Sequence, residues 1–527
     1  MNMRPVSQEL QSGVVIKKKS DLHLITHLGV KIQNLVVDSR EVRPGDTFLA
    51  CVGNKINACE FIPQAISAGA NAVLWEPHYG FSWNPAWRVP NLPIAELHEK
   101  TGMIADHVYG HPSLKLGVIG ITGTNGKTSC SHWIAQAMGA LGRKTAVIGT
   151  LGNGFLGALT ATVNTTPDAV LLQKKMAEFL KEGAEYVTME VSSHGIKQER
   201  INGTTFAVAL FTNLTRDHLD YHDDMKEYGA VKARLFHWPG LKYAVLNMDD
   251  EFGVEISQQL ETTPTEVIGY GFKESEIEDI ESKKISRLRG SNLKSSIDGL
   301  EFDVEFRSER IKFKTELVGR FNASNLLSVM AVLIASDITL VDAVKVVKQV
   351  QPITGRMERL GGSSQPLVIV DYAHSPDAIE KVLTTLREVL GKPGDQIKPK
   401  IENTKLVCVF GCGGERDRGK RPMLGRVVSQ LADEIIITSD NPRSENPRDI
   451  INEIAVATDA NYHIEEDRAM AIYRAISNAR KGDIVLIAGK GHEMYQEIGG
   501  QRLPFSDIEV ARQVLQGLVE QEARVQA

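Results

Sequence analysis

From Leu116 onward the chain repeats one pattern: a short apolar run, a polar or glycine-rich cluster at its end, then a helix-length amphipathic stretch. The first series is LGVIGIT, TAVIGT, YVTMEV, FAVALFTN and YAVLN; a second, after about residue 352, is LVIVD, LVCVFG, EIIITSD and IVLIAG. Runs apolar throughout predict strands buried on both faces, and so parallel sheets covered by helices. Between the two series, Leu300, Phe302, Val304 and Phe306, then Ile311, Phe313, Thr315 and Leu317, alternate around a Ser-Glu-Arg turn, which predicts an antiparallel hairpin. The runs VVDSR, TFLACVG and NAVLWE, broken by Gly, Pro and Asn, predict a small α/β domain before a YGHPS linker at 109–113. The 527 residues then divide into domains at 1–112, 113–352 and 353–527. The polar segment 391–404 reads as a surface loop.

Composition removes several classes of function. Sixty Lys and Arg stand against 66 Asp and Glu, dispersed along the chain, so no basic stripe points to nucleic acid or an anionic membrane surface. The longest apolar stretch, LLSVMAVLIA, is too short to span a bilayer, and MNMRPVSQELQSG lacks the basic-then-apolar pattern of a signal peptide. A cytoplasmic protein is expected, with no stable membrane insertion. Cys51, Cys59, Cys130, Cys408 and Cys412 form no CxxC pair and read as reduced thiols.

Ligands of parallel sheets bind beyond the carboxyl ends of the strands, where the polar clusters of this chain fall. The first strand runs into Gly123, Thr124, Asn125, Gly126, Lys127, Thr128 and Ser129, a glycine turn whose amides, backed by a helix N-terminus, cradle phosphates. Lys127 is placed for terminal phosphates and Thr128 for Mg²⁺, although Ile121 stands where the usual phosphate-loop pattern has glycine. Glu190 closes YVTME, where a lone strand-end carboxylate is more often a cap than a metal ligand. His218 and His222 stand four apart, the spacing of two ligands on one helical face, but the absence of a neighbouring Glu or Cys and the phosphate context favour Mg²⁺ over zinc. Pattern alone reads Lys232 as a helix-surface lysine. Later strand ends carry Asp371 to Pro376, Gly411 to Asp417, Asp440 to Arg443, and Gly489 to Glu493; their arginines suit carboxylates and their acids an ammonium, as an amino-acid substrate requires. Cys412, between glycines and without an ordered base, reads as a small buried thiol.

In order, TGTNGKTS, NTTPD, MEVSSHG, TNLTRDHLDYH, GRFNASN, GRMER, VDYAHSP, FGCGGERDRGKRP, SDNPRSENP and GKGHE resemble the Mur ligases over about residues 35 to 510. The resemblance implies an α/β protein of three domains: a small N-terminal one binding a UDP end, a central P-loop-type one binding ATP, and a C-terminal Rossmann-like one receiving an amino acid. It implies an ATP-dependent ligase of peptidoglycan precursor synthesis, a monomer acting on small molecules. Gly123 to Ser129 match the ATP loop, and Asn322, Arg356 and Asp371 match further nucleotide contacts. Thr128, Glu190 and His218 match magnesium-ligand positions. Lys232 falls on a lysine carbamylated in the family, which reverses its surface reading. Asn164, Thr165, Thr166, Ser192, Gln198 and Arg200 match positions gripping a muramoyl-dipeptide, and Val37, Ser39, Asn54, Lys55 and Ile56 match uridine-side positions. Arg416, Asp440, Asn441, Pro442, Arg443, Gly489 and Glu493 match the amino-acid site.

Asn57-Ala58-Cys59 departs from the Asp-Gly-Arg type turn common in relatives, next to the uridine-side positions. The DNPR form resembles the diaminopimelate-adding members, and a substrate with two carboxylates needs two cationic docks, for which Arg416 and Arg443 are the candidates. A folylpolyglutamate synthase-like ligase shares the TGTNGK loop but is disfavoured by DNPR, GKGHE and the preceding N-terminal domain. The other alternative is a non-catalytic P-loop nucleotide switch.

Overall fold

The computed structural model describes residues 25, 28–53, 56–273, 285–296, 299–362, 365–390, 404–459 and 461–526. Asn54, Lys55 and most of the 391–404 segment lie outside the described residues. The chain forms two compact units: Met1–Gly120 with Gly142–Ala209 and Arg234–Lys242, and Ile121–Leu141 with Leu210–Ala233 and Tyr243–Ala527.

The first unit contains a four-stranded parallel sheet, Leu35–Val36, Thr47–Ala50, Ala72–Trp75 and Asn91–Pro93 in that order. Successive strand residues point to opposite faces, so Leu35, Leu49, Leu74 and Leu92 pack with Leu97, Ile104 and Ala105 of helix Leu97–Val108. Their neighbours Val36, Phe48, Ala50 and Val73 pack on the other face with Ile62 and Ala65 of helix Ile62–Ser67. The same unit pairs Tyr186–Glu190 parallel with Thr145–Gly149, which continues antiparallel into Gly152–Phe155 and Ala158–Thr160.

In the second unit, Tyr243–Asn247, Glu266–Gly271 and Ile285–Ser296 are parallel neighbours, followed antiparallel by Gly299–Phe306 and Glu309–Thr315. The expected hairpin is present, turning at Arg307-Ser308 with Phe306 opposite Glu309. Its partner Ile285–Ser296 escapes pattern reading because it is polar and only partly buried. A six-stranded sheet follows, ordered Glu358–Gly361, Leu367–Asp371, Ile484–Ala488, Leu406–Phe410, Glu434–Ile437 and Tyr462–Ile464, parallel except at its first pair. One face buries Ile369, Cys408, Phe410, Ile435 and Leu486 with Leu383, Leu424 and Ile451 of the helices on that side. The other buries Val370, Val407, Ile436 and Val485 with Ile472 and Ala511. Helices on both faces account for the uninterrupted apolar runs of these strands, and for polar residues being confined to their ends.

All five cysteines are free. No helix of the described residues is long and apolar enough to cross a membrane.

Candidate active site

Strand Gly117–Thr122 leads into the glycine turn, and helix Lys127–Ala140 begins at its end. Gly123 and Gly126 hold φ of 139° and 88°, which a side chain would strain; a Cβ on Gly123 would also sit 2.0 Å from Thr212 Oγ1. The turn is fastened to the segment after Phe211. Thr124 N donates to Asn213 O at 2.8 Å, Asn125 N to Asn213 Oδ1 at 3.0 Å, and Thr212 Oγ1 to Asn125 O at 2.6 Å. Lys127 Nζ donates to the carbonyls of Gly123 and Thr124, each at 2.9 Å, folding its charge over the loop that it would share with a phosphate.

Lys232 reaches the same loop from helix Met225–Ala233. It is buried, its Nζ donating to Gly123 O at 3.0 Å and lying 4.4 Å from the Tyr228 ring centroid. Burial, then the positive charge of Lys127, hold its amine well below the ordinary lysine range. The surface reading of Lys232 is therefore wrong. A helix of almost no amphipathic character gives no periodic signal that one lysine faces inward.

Asp217, which the sequence reading passed over, sits between Lys420 Nζ at 3.4 Å, His218 Nε2 at 3.6 Å and His374 Nε2 at 3.7 Å. Burial would raise its carboxyl, but the His374 bond and the Lys420 and His218 charges outweigh it and hold the group well below the usual range. His218 and His222 do not share a helical face: the segment before Met225 is a series of turns, His218 has φ of 57°, and His222 is buried 5.1 Å from the Tyr228 ring.

Beside the phosphate turn lies a cavity of about 600 Å³ lined by Asn125, Gly126, Asn322, Arg356, Asp371 and His374 among others. Arg356 donates to Thr128 Oγ1 at 3.2 Å and lies 4.4 Å from the centre of the Tyr372 ring. Asp371 is buried and accepts the amides of Met357 and Ala373 at 2.8 Å each, though burial still raises its carboxyl. Sequence positions 125, 126, 322, 356 and 371 thus meet at one cavity.

In the first unit Glu190 is a buried acceptor, taking Thr150 N at 2.8 Å and Thr150 Oγ1 at 3.1 Å; Gly149 leaves it room, because a Cβ there would sit 2.3 Å from Oε1. Thr165 Oγ1 lies 3.1 Å from Thr150 Oγ1. Thr166 Oγ1 meets Ser192 Oγ at 2.9 Å, and Arg200 donates to Thr166 O at 2.7 Å and to Gln198 Oε1 at 2.6 Å. The structure therefore joins Thr166, Ser192, Gln198 and Arg200 in one network. Ser39 Oγ bonds Gln64 Oε1 at 3.1 Å, while Val37 and Ile56 are exposed. The departing turn has its own fastening: Asn57 Oδ1 accepts Cys59 N at 3.1 Å and its amide nitrogen lies 3.1 Å from His78 Nε2.

At the ends of the six-stranded sheet, Asn441 Nδ2 donates to Glu493 Oε2 at 2.9 Å, and Lys490 Nζ reaches Asn441 Oδ1 at 2.9 Å. Arg443, with φ of 53°, donates to Gly414 O at 2.6 Å and lies 3.7 Å from Glu497 Oε2. A Cβ on Gly489 would stand 2.6 Å from Asp440 Oδ2, which brings those two positions together. Arg416 is half-exposed, 3.6 Å from Asp220 Oδ2. Arg421, absent from the sequence reading, is fully buried and bonds Glu445 and Glu453 at 2.9 Å each, anchoring the segment after Arg443. Its position inside a charged stretch, KRP, gave no hint of burial. Cys412 is buried, and burial raises its thiol, so it is a poor nucleophile.

Among the described residues, no three His, Cys, Asp or Glu side chains form a metal cage. Mg²⁺ needs none, since it keeps waters and phosphate oxygens and takes few protein ligands; a hydroxyl such as Thr128 and a carboxylate such as Glu190 are the hard donors it prefers.

A turn that folds two lysines over one carbonyl beside a cavity, with paired acids and arginines at the strand ends, defines a nucleotide-using enzyme of acid and amine chemistry. Three family models match the chain: Mur ligase family, catalytic domain, over 31–109; Mur ligase middle domain over 121–333; and Mur ligase, glutamate ligase domain, over 355–491. The UDP-N-acetylmuramoyl-L-alanyl-D-glutamate--2,6-diaminopimelate ligase of Nitrosomonas europaea is 56% identical over 506 residues, covering 95% of this chain and 96% of that protein. The protein of the same name from Chromobacterium violaceum is 49% identical over 94% of this chain and 96% of its own length. A solved structure of a ligase of that name superposes with a TM-score of 0.65 at 32% identity, covering 92% of this chain and 95% of its own. The chain belongs to the Mur ligase family.

Proposed function

We propose that this protein is an ATP-dependent ligase that joins meso-2,6-diaminopimelate to UDP-N-acetylmuramoyl-L-alanyl-D-glutamate, the reaction for which its Nitrosomonas and Chromobacterium relatives are named. The observation that carries the reading is the meeting of Lys127 and Lys232 on Gly123 O, in the turn that borders the cavity. A carboxylate does not react with an amine in neutral water because its oxygen is a poor leaving group. ATP supplies one: a γ-carboxylate oxygen of the D-glutamyl residue attacks the γ-phosphorus, the bond to ADP breaks, and an acyl phosphate forms. The free amine then attacks the acyl carbon, loses a proton, and expels phosphate.

In this reading Lys127 leaves the Gly123 and Thr124 carbonyls for the terminal phosphates, and Arg356, Asn322 and Asp371 bind the nucleotide. Thr166, Ser192, Gln198 and Arg200, with Asn164 and Thr165, grip the muramoyl-dipeptide, and Val37, Ser39 and Ile56 take its uridine side. Arg416, Asp440 to Arg443, Gly489 and Glu493 receive the amino acid. Magnesium, when bound, supplies electrostatic neutralisation of the transferring phosphoryl group. Its proposed ligands are Thr128, Glu190, His218 and a carbamate on Lys232. The depressed amine of Lys232 supports the last, because only a neutral amine adds to CO₂, and the product retains one N–H for Gly123 O. The reading includes the division at residues 112 and 352, which the spans of the three family models support. It also carries a monomer in the cytoplasm, which gel filtration and fractionation test.

The deciding experiment measures ADP release and product mass with UDP-muramoyl-dipeptide, with folate plus glutamate, and with neither, each with and without diaminopimelate. The proposal expects ADP and a tripeptide product only with the first pair. AMP and pyrophosphate in place of ADP would exclude the acyl phosphate, and folate-dependent turnover would exchange this reading for the rival ligase.

A further inference from the structure

The GKGHE segment contributes Gly489 and Glu493 to the amino-acid site, but its lysine has no role in the reading above. Lys490 follows strand Ile484–Ala488 and is fully buried, a costly place for an ammonium unless it is matched. It is matched closely. Its Nζ donates to Glu493 Oε2 at 2.8 Å and to Asn441 Oδ1 at 2.9 Å, and Asn441 Nδ2 completes the triangle by donating to the same Glu493 oxygen at 2.9 Å. Asn441 Oδ1 also accepts Glu497 N at 2.9 Å, so the amide orientation is set from both of its ends. Burial would raise the neighbouring Asp440, but the charges of Lys490 and Arg468 hold its carboxyl below the usual range.

The consequence lies in the two oxygens of Glu493. Oε2 takes two donors, whereas Oε1 takes none among the described residues, on a side chain that is only 17% exposed. Half of a carboxylate is saturated by the protein and half is left for a donor that the protein does not supply. We propose that Lys490 is a positioning residue of the amino-acid site: by saturating Glu493 Oε2 and fixing Asn441, it reserves Glu493 Oε1 for the ammonium on the non-reacting end of a two-headed amino acid. The inference rests on the reading of this site as the amino-acid site. A site that keeps a half-buried acceptor for an ammonium discriminates against a substrate without one, because the acceptor is then left desolvated and unpaired.

The test compares meso-diaminopimelate with 2-aminopimelate, which has the same chain and distal carboxylate but no distal amine. The ratio of their kcat/KM values is measured in the parent, K490M, K490Q and E493Q. The parent is expected to favour diaminopimelate. In K490M the ratio falls by about tenfold or more, through the KM of diaminopimelate, while the KM of ATP stays within about twofold. K490Q keeps one donor and much of the side chain's length, so it recovers part of the ratio and decides the matter if K490M does not fold. A loss of ratio in E493Q with the parental ratio retained in both lysine variants, or in K490Q alone where K490M is unfolded, overturns the role of Lys490. A parental ratio in E493Q overturns the amino-acid-site reading itself, and the inference with it.

Discussion

The phosphate turn and the strand-end cluster around Glu493 both gather Lys or Arg side chains, and they arrange them differently. In the turn, the side-chain nitrogens of Lys127 and Lys232 meet on one carbonyl, that of Gly123, and burial, then the Lys127 charge, hold the Lys232 amine well below the ordinary lysine range. In the cluster, each buried cation has a carboxylate: Lys490 has Glu493, Arg421 has Glu445 and Glu453, and Arg468 has Asp507 at 2.7 Å. The difference separates two tasks. A lysine folded over the phosphate turn, as Lys127 is, is placed to receive an anion, whose charge it neutralises. Cations matched to carboxylates hold geometry, and the proposal above puts the specificity of the cluster in the oxygen they leave unmatched.

Lys127→Met gives the sharpest test of the first half of this contrast, with an expected fall in kcat of about a thousandfold as its charge is lost from the transferring phosphate. Retention of near-parental turnover would mean that the turn does not face the reacting phosphoryl group. Lys232→Met is expected to lower kcat by about a hundredfold. In CO₂-free buffer the same variant should be more stable than the parent by about 1 kcal/mol at pH 7, because a buried amine with a depressed pKa costs stability. The sign follows from proton counting: the unfolded chain binds a proton that the folded one resists, so the gain is present below the ordinary lysine pKa and vanishes as the pH rises through it. A gain that persists at pH 11 would break the argument from burial of the amine, and ¹³C-bicarbonate NMR that finds no carbamate signal in the parent would remove the carbamate.

In the matched region, Arg443→Ala should lower the preference for diaminopimelate over lysine by about tenfold, since lysine has no distal carboxylate for that guanidinium. An unchanged preference would place the carboxylate dock elsewhere, with Arg416 next in line. Cys412→Ala should leave turnover within about twofold, because a thiol with no ordered base contributes packing alone. Loss of activity without loss of thermal stability would restore Cys412 as a participant.

Much of this site was legible in order along the chain. The glycine turn, the strand-end Glu190, the DNPR segment and GKGHE each fall where a parallel sheet presents its polar ends, so a pattern of apolar runs was enough to locate them, although pattern alone read Glu190 as a cap. The failures share a cause. Pattern read Lys232 as a surface residue and gave no role to Asp217, Lys490 or Arg421, yet all four are buried. Each is kept inside by partners distant in sequence, such as Gly123 for Lys232 and Lys420 for Asp217, and a one-dimensional pattern carries no record of such pairings. The spacing of His218 and His222, which the sequence reading already discounted as a zinc signal, makes no helical face here, because four residues apart means one face only within a helix and this segment is a run of turns.

The amino-acid sequence by itself determined the alternating strands and helices, the glycine turn and the family, because these depend on local periodicity, backbone freedom and short motifs. Only the tertiary structure decided that the Lys232 amine is buried and lowered, which Glu493 oxygen stays open, and which nucleotide-loop residues share a cavity. Those depend on desolvation and on distances between groups that short-range pattern does not relate, which arise only when the chain is packed.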